Sequence, residues 1–346
     1  MKKIFLQGLK LGLIFNVSII VFALVYISVV EQQLAKPLDK FSLPLKLGTV
    51  VTSDRIYFKD SLKKRDSWLR ISNKFNFFVV EYELNPKIPS KSSRFLDWCI
   101  TQTCFAHRID YSDVRAKQFN YFTIDDWWTN NKFSVYKDTT LDELKLKNFF
   151  KTLPDGSLVV ISEPFSIFKY PDILTGFFKW VLALRSAHPN LKFELGLQIH
   201  LQWIDFYWLR YSSFFPEFEK FSKTYNYPWG VSEYSNYDRI WKDLISLRWG
   251  RWTSLSSLIE RAFHHIEGLI FYRFRRAIVL HATYQIHKDA VRYGAVRFVE
   301  WGNFQHTAWF FNEVDPSYDS NYLLFDASGQ PTDLWWAAMR GLKDGK

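Results

Sequence analysis

Trp229-Gly230-Val231-Ser232-Glu233-Tyr234-Ser235-Asn236-Tyr237 reads as a short apolar strand that ends by presenting a carboxylate, Glu233, among aromatic and amide side chains. Ser157-Leu158-Val159-Val160-Ile161-Ser162-Glu163-Pro164-Phe165 repeats the pattern, a β-branched apolar run that stops on Glu163. Short unbroken apolar runs of this kind suit strands buried on both faces, as in a parallel sheet covered by helices. Two glutamates at the C-terminal ends of two such strands predict paired carboxylates at the mouth of a β/α barrel.

Strand and helix signals alternate on either side of these two stretches. Strands are expected at 45–52, 75–81, 104–109, 157–163, 192–203, 229–234 and 295–301. Helices are expected at 94–102, 141–153, 173–187, 217–225, 277–292 and 333–342. Residues 118–137 read as a long loop at the mouth, and 239–276 as an aromatic, basic insertion. Repeated strand-then-helix order predicts a parallel α/β architecture. With 346 residues the chain fits one (β/α)8 TIM-type barrel of about 250 residues plus additions. Only seven strands are legible, so one strand–helix unit is expected to be shortened or merged into 192–203.

Positions 1–30 read as a targeting segment. Lys2, Lys3 and Lys10 precede Leu11–Val30, an uncharged run of the length that crosses a bilayer. The lysines predict an inside N-terminus and a body on the extracytoplasmic side. An uncleaved signal anchor, giving a transmembrane helix, and a cleaved signal peptide of an exported protein are both open readings. A polar linker with Pro37 and Pro44 follows at 31–44, and the barrel is expected over 45–346.

Composition limits the function classes. The formal charge is +10, with basic residues spread along the chain, which suits an anionic lipid surface, an acidic polymer or a plain soluble face. No nucleic-acid motif accompanies the charge, so nucleic acid is excluded as a partner. Aromatics make up 19% of the chain, enough for sugar-stacking platforms as well as for an aromatic core. Cys99 and Cys104 are the only cysteines; outside the cytoplasm they could pair or stay free. No ligand set has zinc spacing, and neither a metal nor a cofactor is expected. Asp125-Asp126 reads as an exposed acidic loop rather than a metal–nucleotide pair, and His264-His265 as surface.

Four stretches together resemble glycoside hydrolase family 10, the xylanase-type barrel family. Val159–Glu163 is similar to its strand-4 motif, which ends in Asn-Glu and supplies the general acid/base. Leu195-Gly196-Leu197-Gln198-Ile199-His200-Leu201 is similar to its glycine-leucine-glutamine-x-histidine strand. Gly230–Tyr234 resembles the strand-7 motif whose glutamate is the nucleophile, and Phe298-Val299-Glu300-Trp301-Gly302 its strand-8 tryptophan-glycine motif. Leu324–Pro331 followed by Trp335-Trp336 resembles the closing turn into the last helix. The chain departs from the family in three ways. Ser162 stands where the family has Asn. Glu81-Tyr82-Glu83-Leu84-Asn85 lacks the Asn and Lys of the strand-2 motif. The interval from Glu163 to Glu233 is shorter than the family usually allows.

The resemblance implies a retaining glycoside hydrolase on a β-linked polysaccharide, xylan-like or another glycan, working by double displacement. Such a site holds two carboxyl groups about 5 to 5.5 Å apart, one protonating the leaving oxygen and the other attacking the sugar. Glu163 is then the acid/base and Glu233 the nucleophile. His107, Gln198, His200, Trp301 and Glu81 are expected to line the mouth as substrate-binding groups, with Trp301 a stacking floor and His200 a hydrogen-bond partner of Glu233. The other reading is a non-catalytic barrel that binds glycan or a partner protein.

Overall fold

The computed structural model describes residues 2–51, 70–80, 99, 102–107, 120–124, 148–162, 172–202, 207–237, 257–300, 324–326 and 328–346. Eight strands, β1 (Lys46–Val51), β2 (Phe77–Val80), β3 (Cys104–His107), β4 (Tyr121–Ile124), β5 (Leu158–Ser162), β6 (Lys192–Gln202), β7 (Trp229–Tyr237) and β8 (Arg297–Glu300), close into a barrel in sequence order. Every pairing is parallel, and β8 closes onto β1 through Lys46↔Arg297 to Thr49↔Glu300. The helices around it include α1 (Lys2–Leu34), α2 (Asp172–Ala187), α3 (Tyr207–Tyr225), α4 (Ser257–Arg292) and α5 (Asp333–Asp344).

Side chains alternate between two apolar cores, as the two-residue period of a strand dictates. Val50, Phe77, Val79, Phe105, Val160 and Val299 fill the barrel interior. Leu47, Val51, Phe78, Val159, Ile161, Leu195, Leu197, Val231 and Phe298 point outward into the larger core under the helices. Gly48 faces inward because nothing bigger fits: a Cβ there would lie 2.3 Å from the Phe77 ring. In the helical layer Gly341 lets α5 lie against α4, since a Cβ there would come 2.3 Å from the Tyr284 carbonyl oxygen.

The structure corrects the strand count. Tyr121–Ile124, inside the stretch read as a loop, is β4, pairing with β3 and β5. Its four residues are too few to display a period amid polar neighbours. No unit is lost or merged between β5 and β7, because β6 and the helices α2 and α3 all stand there. Within the insertion, residues 257–276 continue directly into the helix expected at 277–292, making α4 a single helix of 36 residues; residues 239–256 lie outside the described residues. The strand that precedes Glu163 is therefore the fifth of the barrel, not the fourth.

α1 packs on the barrel's helical layer. Ala23, Ile27, Val30 and Leu34 are buried, the Tyr26 hydroxyl lies 2.9 Å from His281 Nδ1, and Arg273 pairs with Glu31 at 2.6 Å. It is also a helix long and apolar enough to cross a membrane over Val17–Leu34. After it, Arg340 donates to the Lys36 carbonyl and Lys346 to that of Ser42, so the connection into β1 runs alongside α5.

Candidate active site

Positions 232 and 233 both face the interior because β7 carries an extra residue. On the β6 side the register steps from Leu197↔Val231 to Gln198↔Glu233, and on the β8 side from Val231↔Phe298 to Tyr234↔Glu300. Both neighbours thus skip one residue of β7, which defines a β-bulge at Ser232-Glu233. Val231 and Tyr234 both point outward into the helical core, and the two residues between them are left to the barrel side. Strict alternation would have turned Glu233 away from the interior.

The bulge sets Glu233 against a short list of polar side chains. Gln198 on β6 donates its amide N–H to Glu233 Oε1 at 2.9 Å. His107, the last residue of β3, brings Nε2 to 3.9 Å from the same oxygen. All three are at least nine-tenths buried, where a charge-assisted hydrogen bond is stronger than in water and geometry is held. Below them Gly196 lets two hydroxyls approach the strand, since a Cβ there would lie 2.7 Å from Ser232 Oγ and 2.9 Å from Ser162 Oγ. Both hydroxyls are buried without a hydrogen-bond partner among the described residues.

The floor of the barrel is ionic. Glu194 on β6 pairs with Arg297 on β8, and the Arg297 guanidinium sits 5.5 Å from the centre of the Phe105 ring. Neither residue stood out in the sequence, because a charge at the start of a strand resembles a solvated end.

Behind the bulge, Tyr234 is fixed from outside. Its hydroxyl shares a hydrogen bond of 2.9 Å with Thr283 on α4, and its ring meets the edge of His287 at 5.2 Å. His287 Nδ1 donates to the Thr283 carbonyl at 2.7 Å, and Nε2 lies 2.6 Å from Glu300 Oε1. A carbonyl can only accept, so Nδ1 carries a hydrogen and a second proton lies between Nε2 and the carboxyl group. Glu300 thus belongs to the wall behind the site.

Of the expected site residues, His107, Gln198 and Glu233 come together. His200 occupies a β6 position in register with Ser235. Glu163, Glu81 and Trp301 lie outside the described residues, as do Asp125, Asp126 and their loop. Cys99 and Cys104 are free and buried. Burial and the neighbouring Cys99 thiol push the Cys104 thiol far up. Among the described residues no group of three His, Cys, Asp or Glu is placed to hold a metal ion.

No protein-family model and no curated protein matches the sequence. Solved structures match its fold. Xylanase 10B from Thermotoga petrophila RKU-1, in complex with xylobiose, superposes with a TM-score of 0.57 at 11% identity over 89% of this chain and 99% of that one. A glycosylated endo-β-1,4-xylanase of family 10 from Gloeophyllum trabeum gives 0.54 at 13% identity over 86% and 96%. A thermostable mutant of xylanase Xyn10A from Cellvibrio japonicus gives 0.52 at 11% identity over 86% and 97%. The chain has the barrel fold of the glycoside hydrolase family 10 xylanases, at 11% to 13% sequence identity.

Proposed function

We propose that this protein is a retaining glycoside hydrolase acting on a β-linked polysaccharide, with Glu233 as the nucleophile. The observation that carries the reading is the bulge that turns Glu233 inward onto Gln198 and His107. A bulge interrupts the ladder, and bulges concentrate where a side chain must be re-aimed beside a site. In a double displacement, Glu233 Oε attacks the anomeric carbon as the glycosidic C–O bond breaks, and the acid/base gives its proton to the departing oxygen. Water then adds to the glycosyl ester, the same group now taking the proton. Gln198 holds the attacking carboxylate in one rotamer throughout.

Two sources of the acid/base follow from the chain. Glu163, next after β5, is the residue that the strand motif names. Asp125-Asp126 follow β4 directly, and the fourth strand is the one that carries this group in the family the sequence resembles. On that count the residue in the place of the family's Asn is Asp125, not Ser162. The interval to the nucleophile then runs from Asp126 instead of Glu163 and is no longer short.

Glu163→Gln, Asp125→Asn and Asp126→Asn, each assayed on a polysaccharide and on an aryl glycoside with an acidic leaving group, identify the partner. Loss of the acid/base abolishes polysaccharide turnover but spares formation of the glycosyl-enzyme from the aryl substrate, whose leaving group needs no proton. Loss of Glu233 abolishes both. Absence of hydrolysis by the wild type with retained glycan binding would support the non-catalytic reading. The apolar α1 supports attachment of the barrel to a membrane, on the extracytoplasmic side.

A further inference from the structure

α1 does two jobs along its length. Ala23, Ile27, Val30 and Leu34 form one stripe at helical spacing, and Ile27 on it is 1% exposed. Ile20, two turns before Ile27 on the same stripe, is already 37% exposed, and Phe22 is 66% exposed. The outward side of the docked turns is apolar too, with Leu24, Val25 and Val29 exposed. A helix apolar on every side, with protein covering only part of one stripe, needs a second apolar environment.

The docked turns and the apolar run overlap. Crossing about 30 Å of hydrocarbon takes roughly 20 residues, which is the whole uncharged run Leu11–Val30. Three of the docked residues, Ala23, Ile27 and Val30, fall inside it, so the surface of the barrel must meet the surface of the bilayer. The chain beyond α1 offers no slack, because Leu38, Phe41 and Leu43 pack on the core. The flank that would meet the lipid is basic. Lys36, Lys40, Arg292, Lys343 and Lys346 are exposed there. Against them stand the exposed Asp39 and Asp344, while Glu31 and Asp333 are paired with Arg273 and Arg276. Such a rim complements anionic headgroups.

The direction of α1 is also fixed. Glu31 reaches Arg273 and Tyr26 reaches His281, so numbering falls along α1 as it rises along α4. α4 leads down into the start of β8, so the apolar run heads away from the strand ends where Glu233 sits. We propose that α1 is at once anchor and strap: seated in an anionic phospholipid bilayer, it holds the barrel to the membrane by its α4–α5 flank and keeps the mouth clear for substrate. The proposal rests on the membrane reading of α1 and is independent of the hydrolase reading.

Energy transfer from single labels to a lipid-phase dye tests it on the full chain in phosphatidylcholine vesicles with and without phosphatidylglycerol. Lys343→Cys puts a label at the end of α5, on the side where the strands start. Thr175→Cys puts one at an exposed position in the first turn of α2, on the side where the strands end. The native cysteines are buried and react slowly. Transfer several-fold stronger from position 343 than from 175, enhanced by phosphatidylglycerol, is expected. Adding Arg273→Glu and His281→Ala cuts both ties from the α4 side and leaves the apolar run intact, so vesicle binding should persist while the difference between labels is lost. Equal transfer from the two labels in the undisturbed chain overturns the strap and leaves the anchor standing. Failure to bind vesicles at all overturns the membrane reading itself.

Discussion

The side-chain amide of Gln198 donates to Glu233 Oε1 at 2.9 Å, although the two residues sit on neighbouring strands whose alternation would set them on opposite faces. The extra residue in β7 reconciles them. A hydrogen bond to a charged group contributes about 2 kcal/mol, roughly 30-fold in a rate constant when it is made to the reacting form. Gln198→Ala should lower kcat/KM by that order with the fold intact, measured by steady-state kinetics beside a melting curve. A large fall in Tm with unchanged kcat/KM would assign Gln198 to structure instead.

Deleting Ser232 should remove the bulge and still leave Glu233 facing the interior, as the single residue between the outward Val231 and Tyr234. Activity should survive the deletion at a reduced level, with the helical signal in circular dichroism intact. Complete loss of activity in a folded deletion variant would contradict this account of how β7 aims Glu233.

In the floor pair Glu194–Arg297 the carboxylate is buried and the guanidinium is 15% exposed. Glu194→Gln leaves the guanidinium without its counter-charge beside Phe105, and breaking such a pair costs about 3 to 5 kcal/mol. Urea unfolding should show that loss, while the double variant Glu194→Leu/Arg297→Met should recover most of it. Equal losses in the single and double variants would count against the ion pair as the reason.

Much of this architecture was legible in the sequence, for identifiable reasons. β5 and the start of β7 announced themselves because strands buried on both faces are continuous apolar runs, and β6 by its long alternation; Glu163 and Glu233 were visible as the charges that close the apolar runs, although β7 itself continues to Tyr237. β4 was not legible, since Tyr121–Ile124 is four residues long and its packing partners, not its own pattern, make it a strand. The bulge was equally hidden: nothing in Val231-Ser232-Glu233-Tyr234 says which neighbour pairs with which. Glu300 was given no role of its own in the sequence, because the side chain that explains it, His287, lies on α4, in the preceding element of the chain.

Acid should loosen α1. Burial holds His281 below the ordinary histidine range, and its ring shares a hydrogen bond with the Tyr26 hydroxyl. The folded state therefore binds fewer protons than the unfolded state near pH 6.5 and below. The contribution of this contact is full above that pH and is lost as pH falls toward the lowered value. Proteolysis at the α1–α4 contact should quicken between about pH 7 and 5, and His281→Gln should flatten the dependence. Protection that is stronger at acid pH would contradict the assignment.

Mass spectrometry of protein trapped with a 2-deoxy-2-fluoro glycoside bearing a good leaving group tests the role of Glu233 most directly. Slow hydrolysis of the fluorinated ester lets the glycosyl-enzyme accumulate. A single sugar added to the peptide that contains Glu233, and none in Glu233→Gln, is the expected result. A sugar on any other carboxylate, or turnover of natural substrate with inversion and no adduct, would contradict it.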